Sequence, residues 1–298
     1  MANRRIGIIG GSGLYKIEGL KSKDQIEIYT PFGKPSDKLD IGILEGHEIV
    51  FLPRHGRGHL LLPSEINYRA NIWAMKKLGV EQIISVSAVG SFKKEIKPGD
   101  IVIIDQFFDR TNQTRKSTFL GDGIVAHVSF AHPICPVLSK LLYEAGQEVC
   151  GEGGIHPEGT YLNIEGPAFS TRAESLIYKS WGMDVIGMTN LSEAKLAREA
   201  EICYATIAIV TDYDSWRDDA PDSAVNLSMV VKNLNKGLED AREIIKNVIP
   251  KLPKDRDCEC ASALKNAILT RPDMIPQGTL ERLELIVGKY VRIGRKKE

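Results

Sequence analysis

The chain has 298 residues, 43% hydrophobic and 26% charged, which suits one large or two small domains of an ordinary globular protein. Its 39 Lys and Arg balance 39 Asp and Glu, which argues against a nucleic-acid scaffold or a polybasic membrane binder. No apolar run approaches the ~20 residues of a membrane span, and Met-Ala-Asn-Arg-Arg-Ile runs straight into a strand pattern with no apolar leader, so a cytoplasmic location is expected.

Strand-like and helix-like patterns alternate along the chain. Arg5–Gly10 is an apolar strand entering Gly10-Gly11-Ser12-Gly13. That turn could hold a small anion on its amides and the Ser12 hydroxyl, or simply reverse the chain. Its glycine spacing fits neither a dinucleotide fingerprint nor a P-loop. Residues Ile26–Thr30, Lys38–Leu44 and His47–Leu52 are short strands with Gly-rich joints, an antiparallel patch that could add a small barrel-like element. Arg54-His55-Gly56-Arg57-Gly58-His59 then offers a planar cationic fork, imidazoles and close backbone approach, the makings of an anion site. A solvated basic loop is the plainer alternative. A metal held by His55 and His59 would need a helix, which the glycines oppose.

Ser64 is expected to cap a helix with Ile66, Ala70, Trp73 and Ala74 on one face, closed by Gly79. Strands at Gln82–Ser87 and Asp100–Asp105 follow, the first leading into the hydroxyl-rich Ser85–Ser91. Arg110–His132 is polar and irregular, and a loop of that length is usually functional or lies at an interface. Helix, strand, helix and strand patterns occupy Pro136–Gly146, Thr160–Ile164, Thr171–Gly182 and Asp184–Gly187. A helix at Leu191–Glu199 precedes a strand at Ile202–Val210, and Ser223–Val248 reads as one long amphipathic helix broken by Pro250 and Pro253. Helical patterns around Ser262–Leu269 and Leu280–Val287 make a C-terminal helical segment of about 254–298, whose basic run Arg292–Lys297 reads as a solvated end. The whole of 1–298 is expected to be a single α/β domain, with a mixed central β-sheet, partly barrel-like, flanked by helices.

The densest chemical signal is Ile207-Ala208-Ile209-Val210-Thr211-Asp212-Tyr213-Asp214-Ser215-Trp216. An apolar run ends in two carboxylates two residues apart, and ligands of open α/β sheets bind outside the carboxyl ends of strands. If the chain stays extended, both acids point the same way about 7 Å apart. They could hold a metal, share a proton, or read the donors of a heterocycle. Glu165-Gly-Pro-Ala-Phe-Ser-Thr-Arg172 and Gly187-Met188-Thr189-Asn190 bring an aromatic ring, a Met and hydroxyls to other strand ends.

The five Cys are odd in number and mostly scattered, which suits reduced thiols. Cys258-Glu259-Cys260 is the exception. A metal site would want two further soft ligands at characteristic spacing, and none lies close in sequence. Plain thiols, or a disulfide or redox pair, are expected there rather than zinc.

The motifs Gly-Gly-Ser-Gly-Leu, Arg-His-Gly-Arg-Gly-His, Glu-Gly-Pro-x-Phe-Ser-x-Arg-Ala-Glu-Ser, Gly-Met-Thr and Thr-Asp-Tyr-Asp-x-Trp occur in that order from Ile6 to about residue 235. In this the chain resembles the 5'-methylthioadenosine phosphorylases of the trimeric purine nucleoside phosphorylase superfamily; its Cys-x-Cys resembles a feature of some microbial members. The resemblance implies a nucleoside phosphorylase-like fold and a phosphate site of Ser12, Arg54, His55, Ser87, the Ala88 amide and Thr189. Ser stands at 12 and 87 where the family often has Thr, and the hydroxyl survives. It further implies Met188 under the ribose, Phe169 on the purine, Asp212 at N7, Asp214 at the 6-amino group, and Val230 and Val231 around the methylthio group. His127 would reach a neighbouring subunit's site in a homotrimer or a dimer of trimers. Inorganic phosphate would be a co-substrate, with no cofactor and no metal, and nucleic acid or membrane is not expected as a partner.

Asp212 would then be the catalytic residue, carrying a proton to N7 while phosphate attacks a sugar resembling an oxocarbenium ion. The rivals are a 6-oxopurine nucleoside or 5'-methylthioinosine phosphorylase, a metal-dependent glycosyltransferase using Asp-x-Asp, and a non-enzymatic nucleoside sensor.

Overall fold

The computed structural model describes residues 5–15, 17–112, 114–217 and 227–291. The expected basic tail Arg292–Lys297 and the first residues of the long helix lie outside these, as does the side chain of Ser12.

Among the described residues, one β-sheet of eleven strands runs through the fold. Its centre is β5 (Val80–Ser91), an apolar strand buried along nearly its whole length. On one side lies β1 (Arg5–Gly10), parallel to β5 and to β4 (His47–Pro53). On the other lies β11 (Cys203–Asp212), also parallel to β5 and buried at every residue. These four near-continuous Val, Ile and Ala runs are what a parallel sheet covered on both faces demands. Their carboxyl ends all point the same way.

The early strands β2 (Lys21–Ile26), β3 (Leu39–Leu44) and β4 form an antiparallel flank, as the sequence suggests, although β2 lies earlier than the expected Ile26–Thr30. That flank prolongs the sheet at one edge. The barrel-like curl forms elsewhere, because the sheet forks at β5. One branch runs through β10 (Val185–Gly187), β9 (Thr160–Ile164) and β7 (Gln106–Arg110). The other runs through β11, β6 (Ile101–Ile103) and β8 (Ile155–His156). Val89, Val102, Ile104, Tyr161, Val185, Ala208 and Val210 pack between the branches as a core of their own.

Helices cover the sheet. Helix α1 (Tyr68–Lys77) begins later than Ser64 because Asn67 caps it, its side chain accepting from the Ala70 amide at 3.1 Å. Helix α2 (Pro136–Cys150) has Pro at its first position. Helix α3 (Arg172–Ser180) opens with a capping box in which Thr171 and Glu174 satisfy each other's amides. Helix α4 (Asn190–Glu199) runs back from β10. Helix α5 (Leu227–Val248) lies on β11 so closely that a Cβ at Gly237 would meet Ile209 Cγ2 at 2.3 Å. Among the described residues of the C-terminal segment there is one α-helix, α6 (Gln277–Val287). The expected helix at Ser262–Leu269 is instead a 3-10 turn at Glu259–Ser262 followed by irregular chain. Among the described residues no helix is long and apolar enough to cross a membrane.

Candidate active site

The carboxyl ends of β1, β4, β5 and β11, with the end of β10, surround a cleft of about 400 Å³, within the usual range for a small-molecule site. Arg54, His55, Ser87, Ala88, Phe169, Met188, Thr189, Asp212, Asp214 and Val230 all line it. The structure thus gathers residues spread over 177 positions into one volume, where the sequence could only place each at a strand end.

One end is cationic and hydroxylic. Arg54 follows β4 and is buried. Its Nε and Nη2 donate to Glu193 at 2.5 and 3.1 Å, Nη1 to the Val86 carbonyl at 2.8 Å, and Nη2 to Ser85 Oγ at 2.5 Å. Four of its five N–H groups are so committed, leaving one on Nη1 for a ligand. Burial opposes the charge on Arg54, but the Glu193 carboxylate outweighs it and holds the guanidinium more firmly protonated than usual. Glu193 itself is wholly buried and also accepts from Tyr204 at 2.8 Å. Asn190 completes the network, 3.0 Å from the oxygens of Ser85, Tyr204 and Thr206. Sequence reading passed over Glu193. Its place at the first turn of a helix after Gly-Met-Thr is a weak signal, because nothing in the chain order points it toward Arg54.

His55 stacks on His59 with ring centroids 4.2 Å apart, and its Nδ1 lies 2.8 Å from the Leu61 carbonyl. A carbonyl only accepts, so Nδ1 carries the proton. Burial pushes His55 down to about 4, helped by the charge on Arg54. The ring is therefore neutral near pH 7, and Nε2 is an acceptor. Arg57 turns away from the cleft to pair with Asp37 and Asp40 at 2.7 and 2.5 Å. Thr189 is the N-cap residue of α4, so that helix presents its positive end to the cleft, a further anion-favouring feature.

The other end is acidic. The chain does not stay extended through Asp212 and Asp214 as the spacing suggested. It turns at Tyr213, and Asp214 has φ 46° and opens a 3-10 turn. Asp212 secures the turn, its Oδ1 accepting from the Asp214 amide at 2.8 Å and its Oδ2 from Thr211 Oγ1 at 2.7 Å. Gly90 makes room: a Cβ there would stand 2.8 Å from Asp212 Oδ1 and 3.3 Å from Asp214 Cβ. Burial raises Asp212 above the usual carboxylate value, against those two hydrogen bonds. Burial, with the neighbouring Asp212, lifts Asp214 to about 6. Asp214 Oδ2 is buried without a hydrogen-bond partner among the described residues, a costly state that a ligand donor would relieve.

The walls between are apolar. Phe169 is 45% exposed within the cleft lining. Met188 is held by Arg115, another residue sequence reading missed: it donates through Nη1 to the Met188 carbonyl and through Nη2 to the Glu165 carbonyl at 2.6 Å. Helix α5 contributes Val230, Leu234 and Leu238 at helical spacing. Val231 is 46% exposed and lies outside the lining, because one step along a helix turns a side chain by about 100°. The expected role of Val231 is thereby corrected in favour of Leu234 and Leu238. His127 is exposed and outside its own chain's cleft, its amide bonded to the Ala267 carbonyl at 2.9 Å.

An anion-favouring end, an apolar middle and an acidic end, set at the carboxyl ends of parallel strands, define a small-molecule site. The chain belongs to the Phosphorylase superfamily, whose model matches residues 5–250. Among its relatives are the S-methyl-5'-thioadenosine phosphorylases of Geobacter sulfurreducens, 57% identical over 96% of this chain and 99% of that one, and of Gloeobacter violaceus, 55% identical over 96% of both. A crystal structure of a methylthioadenosine phosphorylase from an antarctic soil metagenomic library superposes with a TM-score of 0.89 at 47% identity, covering 95% of this chain and 99% of that one.

Proposed function

We infer that this chain cleaves 5'-methylthioadenosine by phosphorolysis, giving adenine and 5-methylthioribose 1-phosphate. The observation that carries it is the two-ended cleft, with buried acids at one end and an Arg, hydroxyls and a helix N-terminus at the other. Phosphate binds Ser87, the Ala88 amide, Thr189 and the remaining Arg54 donor, with Ser12 on the adjoining turn. Neutral His55 accepts a hydrogen bond from a phosphate O–H. Phe169 stacks on the base and Met188 packs under the ribose. Val230, Leu234 and Leu238 enclose the methylthio group, which has no use for a polar wall.

As the glycosidic bond breaks, negative charge grows on the purine and positive charge on the sugar. Asp212, raised by burial, is suited to hold a proton and deliver it to N7. Phosphate held on the opposite side of the sugar attacks the anomeric carbon, so the effective-concentration term adds to the acid catalysis. No cofactor enters this reaction. Asp214 accepts from the 6-amino group through its free Oδ2. A second reading rests on the same residue: protonated below about 6, Asp214 donates to a 6-oxo oxygen and admits inosine or 5'-methylthioinosine.

The assembly proposed is a homotrimer, or a dimer of trimers, in which His127 reaches a neighbour's cleft. The exposed apolar side chains Val125, Leu269 and Met274 around that stretch support a covered surface. The proposed setting is the cytoplasm, which five free thiols suit.

The test is phosphate-dependent base release from 5'-methylthioadenosine, adenosine, inosine and 5'-methylthioinosine side by side. 5'-Methylthioadenosine should lead. Faster cleavage of inosine would overturn the substrate assignment. Nucleoside binding without phosphate-dependent turnover would point to a sensor, and turnover that needs added Mg²⁺ or Mn²⁺ to a metal-dependent transferase.

A further inference from the structure

Cys258 and Cys260 find in space the partners they lack in sequence. The Sγ atoms of Cys135, Cys203, Cys258 and Cys260 all lie within 4.8 Å of one another, and the Cys203–Cys258 pair is 3.3 Å apart. Four thiolates around a single tetrahedral ion at about 2.3 Å stand about 3.8 Å from each other. The observed spacing brackets that value. It is too tight for four Cys around an iron–sulfur cube, whose ligands sit on its outer corners. A cavity of about 10 Å³, bordered by Cys135, Cys203 and Cys258, lies at the same place.

The four side chains come from three remote segments. Cys135 is the N-cap residue of α2, where the helix's positive end favours a thiolate, and its amide donates to the Tyr204 carbonyl at 3.0 Å. Cys203 opens β11. Cys258 caps the 3-10 turn Glu259–Ser262, and Cys260 lies within it. Cys135, Cys203 and Cys260 are buried, whereas Cys258 is partly exposed and offers a way in. Among the described residues no carboxylate or imidazole belongs to the group, so the donor set is uniformly soft. The fifth cysteine, Cys150, ends α2 and stands apart from it.

We propose that these four cysteines bind one divalent metal ion, of the zinc type, in a closed tetrahedral thiolate site. With all four positions filled by protein, the ion has no open coordination site and its role is structural. The location agrees. Cys203 and Asp212 are opposite ends of β11, about 30 Å apart at the usual rise per residue. The ion fastens the C-terminal segment to the first residue of β11 and to the start of α2, joining chain more than a hundred residues apart without any disulfide.

The full-length protein, purified under reducing conditions without an affinity tag, is analysed for metals by mass spectrometry before and after equilibration with Zn²⁺. About one zinc per chain is expected. Co²⁺ in its place should give the intense thiolate charge-transfer and visible bands of tetrahedral cobalt. Cys150→Ser should keep the metal, and Cys258→Ser should weaken binding by at least ~10-fold. One iron per chain with the same four ligands supports the site and changes only the ion. Fewer than roughly 0.2 equivalents of any metal after Zn²⁺ treatment overturns the proposal. So does an intact mass short of four hydrogens, which would show the four thiols closed into two disulfides.

Discussion

Asp214→Asn separates the stability cost of a buried acid from its use in base recognition. Asn keeps the size of the side chain and tolerates the left-handed φ of 46° at this position. In the folded chain burial and the nearby Asp212 hold the carboxyl at about 6, against an ordinary 3.8. The folded state therefore binds this proton more tightly than the unfolded state. Stability from this group is fully present below about 4 and is lost as pH rises through about 6. At about 1.4 kcal/mol per unit, the ionised side chain costs the fold on the order of 3 kcal/mol near neutral pH. Urea unfolding at about pH 7.5 should show the Asn variant more stable by roughly 1–3 kcal/mol, less than the full cost because a buried amide also needs partners. The gain should fade toward about pH 4. In the same preparation kcat/KM for 5'-methylthioadenosine should drop about 10- to 150-fold, a hydrogen bond to a charged group being worth about 1.5–3 kcal/mol. Inosine should lose far less. A variant equally stabilised at both pH values, or not stabilised at either, would refute a proton held tightly by the fold.

Asp212→Asn keeps an acceptor for the Asp214 amide but cannot deliver a proton; kcat should fall at least ~10²-fold with little change in KM, and an unchanged kcat removes Asp212 from the chemistry. Glu193→Gln leaves the Arg54 charge buried and uncompensated, so urea unfolding should register a loss of about 3–5 kcal/mol; a loss below about 1 kcal/mol would mean that Arg54 finds other compensation. Leu234→Ser should raise KM for 5'-methylthioadenosine at least ~10-fold while Val231→Ser leaves it unchanged. The reverse pattern in steady-state assays would restore Val231 to the cleft.

Much of the architecture was legible before the structure. The β-branched runs of β1, β5 and β11 announce buried parallel strands, and Thr171 with Glu174 announces the start of α3. Short elements were the losses. The β8 strand has only two residues, β7 ends in the exposed, charged Asp109-Arg110 at the start of the polar stretch, and Ser262–Leu269 has helical spacing without forming an α-helix. Within the site, nine of the ten expected lining residues stand in a visible motif, and Val230 came from the family resemblance alone. Glu193 and Arg115 were missed because their work is to hold Arg54 and Met188 from 139 and 73 positions away.

By itself the sequence determined which side chains stand at the ends of which strands, because strand and helix periods are local properties of the chain. It also determined the chemistry on offer: two acids, an Arg-His loop, hydroxyls after Gly-rich turns. Only the tertiary structure decided how those groups are charged and aimed. His55 is neutral because burial and the charge on Arg54 outweigh the Leu61 carbonyl, and Asp214 is raised because burial and the neighbouring Asp212 act on it where β11 turns beside Gly90. Four cysteines become one cluster only when α2, β11 and the C-terminal turn meet. Charge state, direction and convergence depend on groups remote in sequence, and no local pattern carries them.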